Sequence, residues 1–386
     1  MDTQLTSDER LMVEAIEQLA AERIAPRAAA IDRANEYPWD IKELLAEQGV
    51  LMMPFPVDYG GVAASELALT YAIEAIARAS MTSSLILAMQ QLGALPILLG
   101  GSAEQKRRYL PKLASGEWLV AYGLTEPGAG SDVGAIRTRA ERHGDHYVLN
   151  GGKQFITNAG LARVNVIFAI TDPERGVDGG MSAFIVESDM PGFRAGKIED
   201  TMGIRGSQNG ELLLEDCAVP VENRIGQEGD GHQLILATFD RARVGIGAQA
   251  VGVAQGAFDY ALQYARQRVQ FGRPIAEHEG VQFLIADLAT EIDAARLLVR
   301  RAATLLDTGA PAAEITRATS MAKLFASNMA MRVTTEAVQL LGGYGYTREY
   351  PVERMMRDAK ITQIYEGTTQ MQRLAIARAI LSTLAA

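Results

Sequence analysis

The sequence predicts an α+β protein that is mainly helical, with an N-terminal helical domain, a middle antiparallel β-sheet or barrel domain, and a C-terminal four-helix bundle. Three observations lead there. Apolar residues make up 48% of the 386-residue chain but aromatics only 6%, with Ala, Leu, Ile and Met abundant, a balance that suits packed helices better than a β-sandwich. Apolar residues recur at helical spacing at both ends, whereas short β-branched runs between turn clusters fill the middle. The chain is also too long for one ordinary domain and long enough to bury a large core in two or three.

The N-terminal helical domain is expected over residues 1–118. Thr6 with Glu9 makes a capping box, and Leu11, Met12, Ala15, Ile16 and Leu19 share a face before Pro26. Ile41, Leu44 and Leu45 lead to a stop at Gly49, Ser65 can cap a run to about Ser80, and Ser102 with Gln105 opens another helix. The most hydrophobic stretch, Leu85 to Leu99, is interrupted by Gln90, Gln91, Gly93 and Pro96. It is too short to cross a bilayer and reads as buried helices.

The middle domain, 119–228, changes period. Val164 to Thr171, Met181 to Val186 and Glu211 to Leu214 read as strands, Asn150-Gly151 as a hairpin turn, and Pro191-Gly192 as another turn. No helix of crossover length separates the strands, which favours antiparallel pairing. The third domain, 229–386, returns to helical patterns over roughly 230–270, 280–307, 312–341 and 367–383, enough for a four-helix bundle. Leu284, Leu288 and Ile292 form one stripe, and Thr308-Gly309-Ala310-Pro311 marks a break. No internal repeat or disordered tract is visible.

Composition narrows the function. A balance of 37 basic against 47 acidic residues gives a net charge of −10, which argues against a broad nucleic-acid footprint. The single Cys217 rules out an intrachain disulfide framework and a Cys-rich metal site. The acidic start, Asp2, Asp8 and Glu9, lacks the pattern of a signal peptide, so a soluble cytoplasmic protein is expected, with a mature mitochondrial matrix chain as the alternative. His143, His146, His232 and His278 form no pair at metal-ligand spacing with a carboxylate, so no metal is expected. Gly245-Ile246-Gly247-Ala248-Gln249-Ala250 has the spacing of a dinucleotide fingerprint but lies inside a helical pattern, where small residues serve close helix packing. A serine hydrolase elbow is absent.

Two glycine-rich segments remain. Leu124-Thr125-Glu126-Pro127-Gly128-Ala129-Gly130-Ser131-Asp132 can expose several backbone N–H groups to an anion or heterocycle, or serve as an ordinary turn between domains. Gln339-Leu340-Leu341-Gly342-Gly343-Tyr344-Gly345-Tyr346 places glycines where they cost helix stability, and its plain reading is a helix stop.

These segments, AYGLTEPGAGSD and QLLGGYGYTREYPVERMMRD, resemble the two signatures of the acyl-CoA dehydrogenases, and RDAKITQIYEGTTQ resembles the segment carrying that family's catalytic glutamate. The three-part layout matches that family along the whole chain. The resemblance implies FAD as cofactor, an acyl-CoA thioester as substrate, Glu366 as catalytic base, and α,β-dehydrogenation to the trans-2-enoyl-CoA. Electrons would pass from flavin N5 to an electron-transfer flavoprotein. Such a base must be a carboxylate held dry, because burial lifts its pKa towards the working pH. The Glu366 N–H and a flavin ribityl hydroxyl are implied as donors to the thioester oxygen.

The family's cofactor contacts fall on Tyr122, Leu124, Thr125, Gly130 and Ser131, and on Phe155, Ile156 and Thr157 beside the ring. A neighbouring subunit is implied to reach the FAD with Arg268, Phe271, Gln339, Leu340, Gly342 and Gly343, and hence a homotetramer, or at least a dimer. Thr368 and Gln370 match cofactor contacts beside the base. Substrate contacts fall on Ser131, Phe239, Asp240, Arg243, Tyr365 and Gly367, with Ser84, Ala88, Leu92 and Ala94 near the acyl tail.

Two positions depart from patterns in the family. Glu279 stands where many relatives carry Gln, which puts one cofactor contact in doubt, and Ala242 stands where isovaleryl and long-chain branches place their base. The second departure favours the short-to-medium-chain arrangement. Two alternatives stay open: an oxidase or nitroalkane-type flavoenzyme on the same scaffold, and a non-catalytic CoA- or acyl-binding helical protein.

Overall fold

Capping chemistry sets where the first helices begin in the computed structural model, which describes residues 5–382. The N-terminal helices are α1 (Ser7–Leu19), α2 (Ala28–Ala34), α3 (Trp39–Glu47), α4 (Glu66–Ala79), α5 (Met81–Gly100) and α6 (Ala103–Ala114). Thr6 with Glu9 and Ser102 with Gln105 close capping boxes, and Ser65 Oγ accepts from the Ala68 N–H at 3.1 Å. Gly49 ends the α3 region with φ 69°, the left-handed stop that glycine adopts without a Cβ clash.

Three local expectations are corrected here. Helical backbone does not stop before Pro26, because a π turn (Ala20–Ile24) and a 3-10 turn (Ala25–Arg27) carry it into α2, with Pro26 near the start of the 3-10 turn, where its missing N–H is tolerated. The buried stripe of α1 is Val13 and Ile16, continued by Ala20, whereas Leu11 is 65% exposed and Ala15 is also exposed; the face packed on α4 is rotated by about one position. Leu85 to Leu99 forms one helix, not several. Gly93 and Pro96 lie inside α5, where a Cβ on Gly93 would stand 2.6 Å from Val120 Cγ1. The close approach of α5 to the sheet explains that glycine. Among the described residues α5 is the one helix long and apolar enough to cross a membrane, and it is mostly buried inside the protein.

The middle region is an eight-stranded sheet: β1 (Val120–Gly123), β2 (Arg139–His143), β3 (His146–Thr157), β4 (Val164–Ile170), β5 (Met181–Glu187), β6 (Phe193–Ile198), β7 (Asn209–Pro220) and β8 (Arg224–Ile225). A one-turn element, α7 (Val177–Gly180), precedes β5. The path runs β6-β7-β3-β2-β4-β5-β8, with β1 paired to β4. Pairing is mostly antiparallel, but β1 runs parallel to β4 and β2 makes a parallel contact with β4.

The hairpin expected at Asn150-Gly151 lies elsewhere. His143 pairs with His146, so the turn is Gly144-Asp145, while Asn150 and Gly151 sit inside β3 at an irregularity against β7. Gly151 has φ 150° and a Cβ there would meet Thr138 Oγ1 at 2.5 Å. A strand glycine marks a bulge or close approach as readily as a turn, and here it marks both of the former.

The C-terminal region holds α8 (Gly231–Gln267), a two-stranded β9 (Val269–Gln270) and β10 (Arg273–Pro274), then α9 (Glu279–Asp307), α10 (Ala312–Leu341), α11 (Val352–Lys360) and α12 (Thr369–Ser382). The four long helices occur as expected; α11 and two 3-10 turns between the third and fourth escaped the sequence pattern. The small residues of α8 do serve packing. Added Cβ atoms on Gly252 and Gly256 would stand 2.4 Å from the Glu74 and Arg78 carbonyl oxygens of α4. One core therefore runs from Ile16 and Ile73 through Val251 to Leu288 and Ala322, joining the first helices to the last. A second core fills the space between α5, α6, α8 and one face of the sheet.

Candidate active site

A strained turn presents Glu366. After α11 the chain makes a 3-10 turn (Ile361–Gln363) and then two left-handed residues, Glu366 with φ 50° and Gly367 with φ 87°, before α12 opens. Left-handed backbone at a non-glycine costs about 1–3 kcal/mol and persists only where neighbours hold it. Lys323 Nζ and Gln372 Nε2 both donate to the Gly367 carbonyl, at 2.6 and 2.8 Å. Ser327 Oγ donates to the Thr362 carbonyl at 2.8 Å. The Tyr365 hydroxyl donates to Gln249 Oε1 at 2.6 Å, Gln249 Nε2 to Ser84 Oγ at 2.9 Å, and Ser84 Oγ to the Met81 carbonyl at 2.7 Å. That chain ties the turn to α8 and α5. Upstream, Arg357 forks onto both Asp32 oxygens at 2.9 Å, and Asp358 Oδ1 accepts from the Ile204 N–H at 2.6 Å, which locks α11 to the N-terminal helices and the middle domain.

The carboxyl at the tip is poised. Glu366 Oε2 is fully covered and has no hydrogen-bond partner among the described residues, although the residue as a whole is only half-buried. Burial pushes its pKa up to about 7, against the pull of the Lys323 and Arg243 cations. Among the described residues no carbonyl accepts from the Glu366 N–H, so it remains available as a donor.

Around this carboxyl stand two predicted groups. On α8, Arg243 Nη1 donates to Asp240 Oδ1 at 3.0 Å, and Asp240 Oδ2 accepts from Thr316 Oγ1 at 2.7 Å, so that Asp240 orients Arg243. Among the described residues Arg243 Nε is buried without a partner. The Arg243 guanidinium lies 5.9 Å from the Phe239 ring, which in turn lies 5.9 Å from the Tyr122 ring of β1. Tyr122 is buried, its hydroxyl has no partner among the described residues, and burial together with the Glu366 charge pushes its pKa well above the usual phenol value. Tyr122 is thus where the sheet group meets the helix group.

The glycine-rich loop is anchored by a buried ion pair that the sequence reading missed. Lys153 Nζ bonds Glu126 Oε1 at 2.7 Å with side-chain exposures of 0% and 7%, and also donates to the Leu124 carbonyl at 3.2 Å. Glu126 further accepts from the Arg137 and Thr138 N–H groups and from Thr138 Oγ1. Burial pushes Glu126 up, but Lys153 and these donors outweigh it and hold the carboxyl below its ordinary value; burial brings Lys153 down to about 8. Beyond this anchor Gly130 and Ser131 are exposed, Leu124 is buried and Thr125 half-buried. In the FIT segment Phe155 is 61% exposed with φ 59° and Thr157 is half-buried, while Ile156 points into the sheet core and away from that face, as alternation along a strand requires.

The residues predicted to reach a neighbouring copy's cofactor gather in another place. Arg268, Gln339, Leu340, Gly342 and Gly343 line a separate open hollow of about 500 Å³ with Tyr264, Tyr344 and Thr347. Phe271 stands 95% exposed nearby in the chain with φ 53°. Glu279 is exposed at the first position of α9; Thr368 Oγ1 accepts from the Met371 N–H at 3.3 Å and Gln370 is exposed. Among the described residues no cluster could hold a metal ion. The residues present fit a flavin on chemistry: Thr125, Phe155 and Thr157 are exposed or half-exposed on the middle domain, and among the described residues Tyr122, Arg243 and Glu366 carry buried polar atoms without a partner.

Three family models match: the acyl-CoA dehydrogenase N-terminal domain over residues 6–117, the middle domain over 121–217 and the C-terminal domain over 229–381. The chain is 48% identical over 378 residues to a cyclohexane-1-carbonyl-CoA dehydrogenase of Geobacter metallireducens, covering 97% of this chain and 98% of that protein. It is 47% identical to a short-chain-specific acyl-CoA dehydrogenase of Clostridium acetobutylicum, with 97% and 98% coverage. Among solved structures, butyryl-CoA dehydrogenase from Megasphaera elsdenii superposes with a TM-score of 0.95 at 41% identity, covering 99% and 100% of the two chains. A structure described as the electron transferring flavoprotein of Acidaminococcus fermentans, in work on flavin-based electron bifurcation, also gives 0.95, at 45% identity with the same coverage. The chain belongs to the acyl-CoA dehydrogenase family, and it is an oxidoreductase that dehydrogenates acyl-CoA.

Proposed function

We propose that the protein converts a short or branched acyl-CoA to its trans-2-enoyl-CoA, with Glu366 removing the α-proton. The single observation that carries this is the covered, unpartnered Glu366 Oε2 on a left-handed turn, with a pKa pushed up to about 7. A carboxylate so held is desolvated and matched to a working pH near neutral. The Glu366 N–H, free of an internal acceptor, would polarise the thioester carbonyl as the α-carbon loses its proton. Asp240 and Arg243 would meet the polar arm of the CoA, with Ser131 at the loop and Tyr365 and Gly367 flanking the base.

The cofactor is FAD, which when bound supplies the acceptor for the β-hydride at N5. Tyr122, Leu124, Thr125, Gly130, Ser131, Phe155 and Thr157 would hold its ring from the middle domain, with Thr368 and Gln370 beside the base; Ile156 would support them from the core. The chain divides for this purpose at 1–118, 119–228 and 229–386, and residues of the second and third parts would hold the flavin. Short chains are favoured by the likeness to the Clostridium and Megasphaera enzymes, and an electron-transfer flavoprotein as acceptor by the likeness to the Acidaminococcus structure. The named relatives are bacterial, which favours a cytoplasmic protein over a mitochondrial one.

A homotetramer, or at least a dimer, completes the reading. Arg268, Phe271, Gln339, Leu340, Gly342 and Gly343 would then reach the FAD of a neighbouring copy. Phe271, at 95% exposed, leaves its ring open to a neighbouring copy. Light scattering should give a particle of at least twice the 41.6 kDa chain mass, and a monomer carrying full flavin would overturn this assignment.

The function is tested by anaerobic absorbance titration of the flavin-loaded protein with CoA thioesters of graded length. Bleaching by branched thioesters or by chains of roughly four to six carbons is expected, since pocket shape sets the accepted length. Bound flavin that no thioester bleaches would point to another substrate class, and rapid reoxidation by oxygen alone would point to an oxidase.

A further inference from the structure

Lys323 lies midway along α10, is 0% exposed, and donates from Nζ to the Gly367 carbonyl at 2.6 Å. It forms no ion pair among the described residues, unlike the buried Lys153, which has Glu126. A buried ammonium with a neutral acceptor alone is costly unless its charge serves a nearby group. The nearby group is Glu366, one residue before the carbonyl that Lys323 holds, and its Oε2 is covered and unpartnered. Gln372 donates to that same carbonyl at 2.8 Å without carrying charge. The turn therefore has two clamps, and charge distinguishes them.

We infer that Lys323 is a positioning residue for the base: it holds the left-handed turn through Gly367 and supplies the buried positive charge against which Glu366 ionises. This rests on Glu366 being the base. Burial brings Lys323 down to about 7, with Glu366 opposing the fall, and the two groups titrate in one range. The charged and titratable groups around the pair are Arg243 and Asp240 on α8, Tyr122 on β1 and Tyr365 on the turn itself. Arg243 is compensated by Asp240, whereas Lys323 has no carboxylate in an ion pair with it among the described residues.

The test compares Lys323→Met with Gln372→Leu in the flavin-loaded protein, following the pH dependence of anaerobic bleaching by the thioester that bleaches the parent. Lys323→Met should move the acidic limb of the profile to higher pH by about one unit, the lower end of the effect of a nearby opposite charge. Gln372→Leu should slow bleaching without moving that limb. Equal, unmoved limbs in both variants would reduce Lys323 to a structural clamp and overturn the inference. Carbon-13 NMR of lysine side chains gives a second readout that needs no Lys323 variant. One lysine should titrate near neutral pH, and its midpoint should fall when Glu366 is replaced by Gln; absence of any such response also overturns the inference. If Glu366→Gln bleaches at the parental rate, it is the base assignment that fails, a result separable from both others.

Discussion

Glu366→Gln should bleach its flavin about 10²–10⁴-fold more slowly than the parent on the same thioester, the range that a positioned proton acceptor contributes. The substitution keeps size and leaves the turn's clamps at Gly367 in place, so flavin content and thioester binding should survive. The pH dependence follows from the raised pKa. Below about 7 the parent carboxyl is protonated and cannot accept the α-proton, so the rate should climb with pH through that region and then level. Stability runs in the opposite sense. A carboxyl raised from 4.5 to about 7 favours the folded state when protonated, and that contribution is lost as pH rises through 7. The Gln variant should therefore be at least as stable as the parent above pH 7. Stopped-flow absorbance and denaturation at matched pH check the two halves, and a parental rate in the variant would remove Glu366 from the chemistry.

Breaking the Lys153–Glu126 pair should produce the largest loss of stability. Glu126→Gln leaves the ammonium of a 0% exposed lysine without its carboxylate, and removing one partner of such a pair typically costs about 3–5 kcal/mol. The loss should be local in origin. Lys153 also holds the Leu124 carbonyl and Glu126 the Arg137 and Thr138 amides, so the loop from Leu124 to Asp132 is what loosens. Purified Glu126→Gln should lose flavin on gel filtration under conditions where the parent retains it, and its denaturant midpoint should fall. Lys153→Met added to Glu126→Gln should recover part of the stability by removing the orphaned charge. A double variant no better than the single one would mean that the hydrogen bonds, not the charge, hold the loop.

Much of this architecture was legible residue by residue. Thr6, Ser65 and Ser102 each cap a helix because a side-chain oxygen can reach an N–H two or three residues on, a local event that sequence spacing reports directly. Strands β4 and β5 announced themselves as β-branched and apolar runs, and the helical stripe of Leu288 and Ile292 is buried as expected. Errors came where a residue type has more than one use. Gly151 looked like a turn and is a bulge, because Thr138 passes too close for a Cβ. Gly93 and Pro96 looked like breakers and lie within α5, because tertiary packing on β1 outweighs their poor propensity. Lys323, Lys153 and Gln249 carried no local signal at all; polar residues in a helix or strand read as solvent-facing until their partners, tens to more than a hundred positions away, are known.

The sequence by itself determined the secondary structure of most segments, the three-part order of the chain and the family, since short-range capping, periodicity and contiguous motifs are written in neighbouring residues. Only the tertiary structure decided what surrounds Glu366. Its covered oxygen, its left-handed turn and the clamps from α10 and α12 are properties of groups brought together by packing. A carboxyl's pKa is set by the solvent it loses and the charges it faces, and neither quantity exists until the helices have closed around it.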